Sequence, residues 1–392
     1  MREDSIVQDI SLLKQIPFNW KVVDFSFVLK DCSGGNKKVP KSDYLNIGKY
    51  PIIDQGKKYI AGFSDIYADL VKYDPPYIVF GDHTRVLKYI DFPFIMGADG
   101  VKVLKIKTSV DLKYRYLFYY LNSISIPNTG YNRHYKYLKE IKIPLPPLEE
   151  QKKIAAILDN ADKIRQINKD LIKKYDELSQ SLFIDMFGDP VNNPMGWDIV
   201  TIRDLISEAK YGTSSKAVEN GKYTYLRMNN ITYNGYMNYS NLKYIDVSDA
   251  EKHKYIVKKG DILFNRTNSK ELVGKTGIIS IDKEMIIAGY LIRVRTNEFA
   301  NPYYIWAHLN SKWGKLILNN MCKSIVGMAN INAQELQNIK ILKAPIELQE
   351  EFAKRIKEIE KQKAIAEESL SKSEDLFNAL MQKAFKGKLT QA

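Results

Sequence analysis

From Ile154 onward, apolar residues return at Ile157, Leu158, Ala161, Ile164, Leu171, Tyr175, Leu178 and Leu182, in steps that keep them on one face of a helix. A second run, Phe352, Ile356, Ile359, Ala366, Leu370, Leu376 and Leu380, repeats the pattern, and Glu/Lys pairs occupy the other faces of both. Each run starts just past a proline, Pro147 or Pro345, and closes at Phe187 or Phe385 with Gly188 or Gly387 beyond it. The distance from proline to phenylalanine is 40 residues both times. Two stripes of equal length predict two helices that pair as a coiled coil, with Ile154, Ala161, Ile164, Leu171, Leu178 and Leu182 of one meeting Phe352, Ile356, Ile359, Leu370, Leu376 and Leu380 of the other. Asn168 falls within the first stripe, where one polar group can fix register. At about 1.5 Å per residue such a helix is roughly 50 Å long, the dimension of a ruler.

The helices belong to a longer repeat. Pro17-Phe18-Asn19-Trp20 returns as Pro194-Met195-Gly196-Trp197, the strand-like run Tyr77-Ile78-Val79-Phe80 as Asp261-Ile262-Leu263-Phe264, and Leu121-Asn122-Ser123 as Leu309-Asn310-Ser311. Ile141-Lys142-Ile143 followed by Pro147, Glu149 and Gln151 returns as Ile339-Lys340-Ile341 followed by Pro345, Glu347 and Gln349. The offset grows from 177 at the tryptophans to 198 at the prolines, so the second copy carries extra residues in its interior. A period this long excludes a solenoid, whose units run roughly 20 to 50 residues, and predicts tandem domains. The expected division is 1–146, a first globule; 147–188, a central helix; 189–344, a second globule; and 345–392, a C-terminal helix. The fold class expected is α+β: two α/β globules separated by two long helices in an antiparallel coiled coil, with an internal pseudo-two-fold. Connectivity takes the first helix from globule one to globule two, and with the copies packed by a two-fold the second, starting at globule two, runs back.

Charge adds a partner. The chain carries a formal net charge of +13 over 392 residues. Residues 1–150 hold +5 and 191–346 hold +8, while 151–190 and 347–392 are each neutral. Two basic globules on neutral helices predict a polyanion touched at two places. Polar loops after strand-like runs are the candidate contacts, because Arg suits guanine, Asn adenine, and Ser or Thr either. In the first globule these are His83, Thr84 and Arg85, then Tyr131, Arg133 and His134, with Lys57 and Lys58 as cationic support; in the second they are Arg227, Asn229 and Asn230, then Arg266, Thr267, Asn268, Ser269 and Lys270, and Lys323 with Ser324.

Other chemistry finds little support. Two cysteines and four histidines provide neither a disulfide framework nor a zinc site. No run of 18 apolar residues appears, and Met1-Arg2-Glu3-Asp4 does not open a signal peptide, so the expectation is a cytoplasmic protein without membrane contact. Asp74-Pro75-Pro76-Tyr77 resembles the tetrapeptide with which amino-methyltransferases hold a flipped adenine. Such an enzyme also needs a loop for S-adenosylmethionine, and no Gly-x-Gly after a strand is present; the second globule lacks the tetrapeptide too. The prolines read instead as a turn into a strand.

The order of globule, Pro146-Pro147-Leu148-Glu149-Glu150-Gln151, long helix, Phe187-Gly188-Asp189-Pro190, second globule, Pro345-Ile346-Glu347-Leu348-Gln349 and second helix resembles the DNA specificity subunit of type I restriction-modification systems. The resemblance covers essentially the whole chain, and its second motif departs at Ala344 and Leu348. It implies that each globule is a target recognition domain for one half of a bipartite site in double-stranded DNA, and that the coiled coil sets the gap. It also implies that the chain is not itself an enzyme and binds no cofactor. Two copies of a methylating subunit would carry the S-adenosylmethionine, and a translocating, cleaving restriction subunit is a further partner the resemblance allows. Two other readings stand beside it: a stand-alone N6-adenine methyltransferase using Asp74 to Tyr77, and a structural coiled-coil protein indifferent to DNA.

Overall fold

The computed structural model describes residues 16–130, 132–325 and 328–390. Contacts divide the chain into two units, one made of residues up to Asn168 together with Ser369 onward, the other of Lys169–Glu368. Each unit therefore owns one globule, the beginning of one long helix and the end of the other.

In the first unit a four-stranded sheet runs in the order Leu29–Asp31, Val101–Ile106, Tyr77–Gly81, Leu87–Ile90. Beside it, Tyr50–Ile53 pairs antiparallel with Gly62–Ser64 and parallel with Ile95–Met96. Lys21–Asp24 and Lys142–Leu145 form a separate ribbon in which Val23 faces Ile143. The second unit repeats all three. Ile206–Tyr211, Leu291–Thr296, Ile262–Asn265 and Thr276–Ile278 form its main sheet; Tyr223–Leu226 pairs antiparallel with Lys243–Ile245 and parallel with Met285–Ile287; Asp198–Thr201 and Lys340–Lys343 make the ribbon. The continuous apolar runs Tyr77–Phe80 and Ile262–Phe264 are central strands buried on both faces. The second unit adds a helix, Lys312–Met321, and a hairpin of Lys323–Ile325 with Met328–Asn330, which together account for part of the growing offset.

The long helices span Leu148–Phe187 and Ile346–Phe385. In the first unit Ile154, Leu158 and Ala161 share a core with Phe377, Met381 and Ala384; in the second, Phe183 and Phe187 share one with Phe352 and Ile356. Low numbers of one helix meet high numbers of the other, so the pairing is antiparallel within each unit. Phe385 packs on Tyr116 and Tyr120 at ring distances of 5.7 and 5.2 Å, bringing the C-terminal helix back to the first globule, while Phe187 packs on Tyr304 at 4.6 Å.

The seam runs one position away from the expected stripe over part of its length. Ile164, Leu171, Leu178 and Leu376 are 49, 36, 48 and 50% exposed. The inward positions hold Arg165, whose guanidinium lies over Phe377 at 4.2 Å, and Asn168, whose amide donates to Ser373 Oγ at 3.4 Å, both in the first unit. In the second unit, Lys363 meets Asp176 at 2.6 Å and lies 3.8 Å from the Tyr236 ring centre. An apolar-residue count follows Leu and Ile outward here, because these inward places are filled by polar groups that find partners. Ile154, Ala161, Phe352 and Ile356 are buried as expected, while Leu182, Ile359 and Leu380 are partly buried against the cores and Leu370 is half-buried.

One glutamine fastens each helix to its globule. Gln151 is 1% exposed; its Oε1 accepts from the Lys113 N–H at 2.9 Å, and its Nε2 donates to Asp111 O at 3.1 Å and Pro146 O at 2.9 Å. Gln349, fully buried, makes the same three bonds with Asn301 N–H at 2.9 Å, Phe299 O at 3.2 Å and Ala344 O at 2.8 Å. The glutamines thus join the first helical turn to the loop that launches Tyr114–Ser123 or Pro302–Asn310. Asn301 also caps the latter helix, accepting from the Tyr303 N–H at 3.0 Å with Pro302 at the first helical position.

A paired exchange sits nearby. Tyr120 donates its hydroxyl to Lys142 O at 2.5 Å; the matching position in the second unit is His308, 1% exposed and hydrogen-bonded to the Lys340 backbone. Burial pushes the His308 imidazole down from 6.5 to about 4, so it is neutral at pH 7.

Gln349→Leu strands three backbone groups and should cost about 2 kcal/mol in urea unfolding; an unchanged midpoint would mean that the glutamine does not clamp the helix. For His308, the folded pKa lies below the unfolded one, so stability present above pH 6.5 is lost as the pH falls toward 4, by about 3 kcal/mol. Glu360, raised to about 7 by burial, works in the opposite sense, losing stability as the pH rises. The difference between wild type and His308→Phe isolates the imidazole: the variant should gain about 2 to 3 kcal/mol relative to wild type between about pH 7.5 and 4.5, and a constant difference would mean that the imidazole takes up its proton at the same pH folded and unfolded.

Candidate nucleic-acid interface

Three segments meet at one end of the main sheet in the first unit. The turn after Tyr77–Gly81 carries His83, Thr84 and Arg85, with Arg85 at φ 62°. Thr84 Oγ1 donates to Gln55 O at 2.5 Å and the His83 N–H to Gln55 Oε1 at 3.2 Å, tying this turn to the loop that bears Lys57 and Lys58. The loop is gripped from beneath by Lys88, 4% exposed, whose ammonium donates to Asp54 O at 2.8 Å and Lys58 O at 2.5 Å. The third segment, 132–134, joins through His134: its N–H donates to Asp82 O at 2.8 Å and its Nδ1 lies 2.9 Å from the same oxygen.

Expectation and structure part company at two of these residues. His134 is fully buried and holds the Asp82 turn, so it cannot meet a base from that position. Arg85 is half-buried, with Nη1 donating to Ile126 O at 3.0 Å. Tyr131 lies outside the described residues. Lys57, Lys58, Thr84 and Arg133 are exposed, and His83 is half-buried.

The second unit assembles the matching surface. Arg227, Asn229 and Asn230 form a short turn after Tyr223–Leu226. Asn230 is 2% exposed and structural: its Oδ1 accepts from the Arg227 N–H at 2.9 Å and its Nδ2 donates to Asn238 O at 2.9 Å. Arg227 donates Nη2 to Asn241 O at 3.3 Å, while Asn229 is exposed. Thr267 and Asn268 pair with Met328–Asn330, Thr267 Oγ1 donating to Asn330 Oδ1 at 2.9 Å. Ser269 N–H donates to Asn268 Oδ1 at 2.9 Å, and Lys270 is exposed. Arg266 lies over the Tyr211 ring at 4.8 Å. Lys323 and Ser324 belong to the hairpin, but their side chains lie outside the described set.

Lys275 does beneath this turn what Lys88 does in the first unit. It is 7% exposed and donates to Met228 O at 2.7 Å and Ile231 O at 2.6 Å. Burial lowers the pKa of both lysines. Their carbonyl partners explain how two buried ammonium groups are tolerated, each binding two oxygens of the very loop it supports. Neither lysine is a sequence candidate, since a lysine in a strand reads as a solvated edge; the signal that could find them is a lone cation inside otherwise apolar runs.

Tyr77 of the Asp-Pro-Pro-Tyr segment is fully buried, its ring 5.2 Å from that of Phe94 and its hydroxyl donating to Tyr73 O. A ring packed in this core has no free face for a base. Lys105 draws the segment onto the sheet, its ammonium donating to Asp74 O at 2.5 Å and Pro76 O at 2.9 Å. Among the described residues no three His, Cys, Asp or Glu side chains are grouped to hold a metal ion, and no helix is long and apolar enough to cross a membrane.

Against known proteins, the family model for the type I restriction modification DNA specificity domain matches residues 19–175 and again 194–373. The chain is 26% identical over 273 residues to the EcoKI specificity subunit of Escherichia coli K12, covering 64% of this chain and 58% of that protein. It is 28% identical over 248 residues to the MjaVIII specificity subunit of Methanocaldococcus jannaschii, covering 57% and 56%. The matches thus span less than two thirds of the length of these curated relatives. Among solved structures, the S subunit of a type I system from M. genitalium shares the fold at a TM-score of 0.59 and 16% identity, over 94% of this chain and 98% of that one.

Lys275→Met keeps the length of the side chain and removes both carbonyl bonds. Amide exchange should accelerate at the Met228–Ile231 turn while the Ile262–Asn265 strand stays protected; unchanged exchange at the turn would show that the lysine does not hold it.

Proposed function

Because the chain belongs to the family of type I restriction-modification DNA specificity domains, we propose that it reads a bipartite site in double-stranded DNA, one globule to each half. The reading domains are taken as 1–146 and 189–344, and the helices, 147–188 and 345–392, as the spacer. The observation that carries this is the duplication itself: one frame built twice, each time presenting loops at the end of the main sheet, with loop residues that differ between the copies. His83, Thr84 and Arg85 stand opposite Thr267, Asn268 and Ser269 in the repeat. Two different sets of side chains favour two different half-sites, hence an asymmetric target with an unread gap between its parts. The surplus positive charge of the globules supplies sequence-independent attraction to phosphates.

In this proposal the chain is the reader and leaves chemistry to partners in the cytoplasm. Two copies of a methylating subunit bind S-adenosylmethionine and act on an adenine displaced from the duplex. A restriction subunit joins where cleavage accompanies modification. Ile164 and Ile167 in the first unit, and Leu171 and Leu178 in the second, leave apolar side chains exposed along the first long helix, which suits a docking surface for such partners. The buried ring of Tyr77 argues against methylation by this chain alone.

The test is a genome-wide map of N6-methyladenine in cells carrying the chain with its methylating subunit, set against cells lacking the chain alone. A split, asymmetric motif that disappears with the chain is expected. A methylation pattern indifferent to the chain would overturn the proposal.

A further inference from the structure

At one backbone position the two units are built alike and furnished differently. The residue after each central strand has its N–H and carbonyl engaged by matching partners. Asp82 donates to Gly100 O at 2.7 Å and accepts from the His134 N–H at 2.8 Å; Arg266 donates to Tyr290 O at 3.0 Å and accepts from the Ile331 N–H at 2.9 Å. In the first unit the side chain there is structural. Asp82 is 3% exposed and its carboxylate accepts from the Tyr135 N–H at 2.7 Å, at the start of a short helix. In the second unit Asn332 supplies the equivalent bond, accepting from the Glu335 N–H at 2.9 Å to cap the helix Ala333–Gln337. The side chain of residue 266 is thereby released from holding its own loop.

What occupies it is a guanidinium held over an aromatic ring but without a polar partner. Arg266 lies over the Tyr211 ring, and among the described residues it has no hydrogen-bond or ion-pair partner; its Nε is sealed from water. The ring beneath it is itself fixed. Tyr211 accepts the Ala333 N–H on its hydroxyl at 2.9 Å, and the next residue, Gly212, passes so close to the sheet that a Cβ would come within 2.2 Å of Ile287 O. The other arginines of the two surfaces that are half-buried are already engaged, Arg85 by Ile126 O and Arg227 by Asn241 O. A half-buried cation denied protein partners is costly unless a ligand completes its hydrogen bonds. A guanidinium seated on a ring has less freedom to turn, which favours a planar, two-acceptor target over a phosphate that can be met from many angles.

We propose that Arg266, aligned by Tyr211 as a positioning residue, recognises a guanine in the half-site of the second globule, through paired bonds to O6 and N7. This rests on the DNA-reading function proposed above. Within it, Arg266 specifies sequence, whereas Arg85 supports its own turn.

The experiment offers the complex of the full chain and its methylating subunit a library of duplexes randomised across both halves, and sequences the methylated products. Wild type should require guanine at one position of one half. Arg266→Ala should weaken that single preference about 10-fold or more, leaving every other position as before. Tyr211→Leu should weaken the same preference to a lesser degree, and Tyr211→Phe, which keeps the ring, should retain most of it. Should Arg266→Ala fail to fold, Arg266→Lys keeps the charge without the fork and must lose the guanine preference too. A uniform drop across all sequences would identify a phosphate contact and overturn the assignment, as would an unchanged motif. A wild-type complex with no sequence preference would overturn the reading function and this inference together, whereas an intact two-part motif blind to residue 266 would remove the inference alone.

Discussion

The structure depends on a buried glutamine used twice. Gln151 and Gln349 each commit one acceptor and two donor bonds to backbone groups of the loop before a globular helix and of the residues just ahead of the long helix. An uncharged amide can accept one bond and donate two from a single planar group, with no charge to desolvate. The consequence is a helix whose first turn is joined to its globule by three hydrogen bonds, so that the start of the helix and the candidate loop surface belong to one body within each unit. Each helix then ends in the other copy's frame through an aromatic contact, Phe187 on Tyr304 and Phe385 on Tyr116. Polar bonds define where a helix starts and aromatic packing defines where it stops.

The same division explains what can be read from the sequence. The long helices, the duplication and the central strands are legible because each rests on periodic burial of apolar residues, which leaves a trace in residue type. Pro147 and Pro345 with the glutamines four residues later mark the helix starts without revealing why the glutamines are there. The seam is legible only where it is apolar: Ile154, Phe352 and Ile356 lie on it, whereas Ile164, Leu171, Leu178 and Leu376 do not, because Arg165, Asn168, Asp176 and Lys363 hold the inward places through specific partners. Residue type alone does not tell a paired buried lysine from a solvated one.

The candidate interface is legible by segment and less so by side chain. The turn Asp82–Arg85 meets His134 in the first unit, and Arg227–Asn230 meets Arg266–Asn268 in the second, through Asn268 Nδ2 lying 3.7 Å from Met228 Sδ. Within those segments, His134 and Asn230 hold the loops they sit on, and the lysines beneath, Lys88 and Lys275, are marked in the sequence only as lone cations within strand-like runs. Loop residues serve either their own backbone or an outside partner, and composition favours neither. Burial separates them: a polar side chain sealed inside a loop shapes it, and an exposed or unpartnered one is available to read.

The central claim is that the repeated frame is shared while each globule independently dictates one half of the target. Its most direct test replaces residues 17–146 by the matching 194–344, so that one frame carries the second globule at both places, followed by mapping of N6-methyladenine in cells that supply the methylating subunit. The expected result is a split motif made of two copies of the second half-site, with the first half-site gone. Retention of the original asymmetric motif, or a motif containing neither half, would contradict the claim.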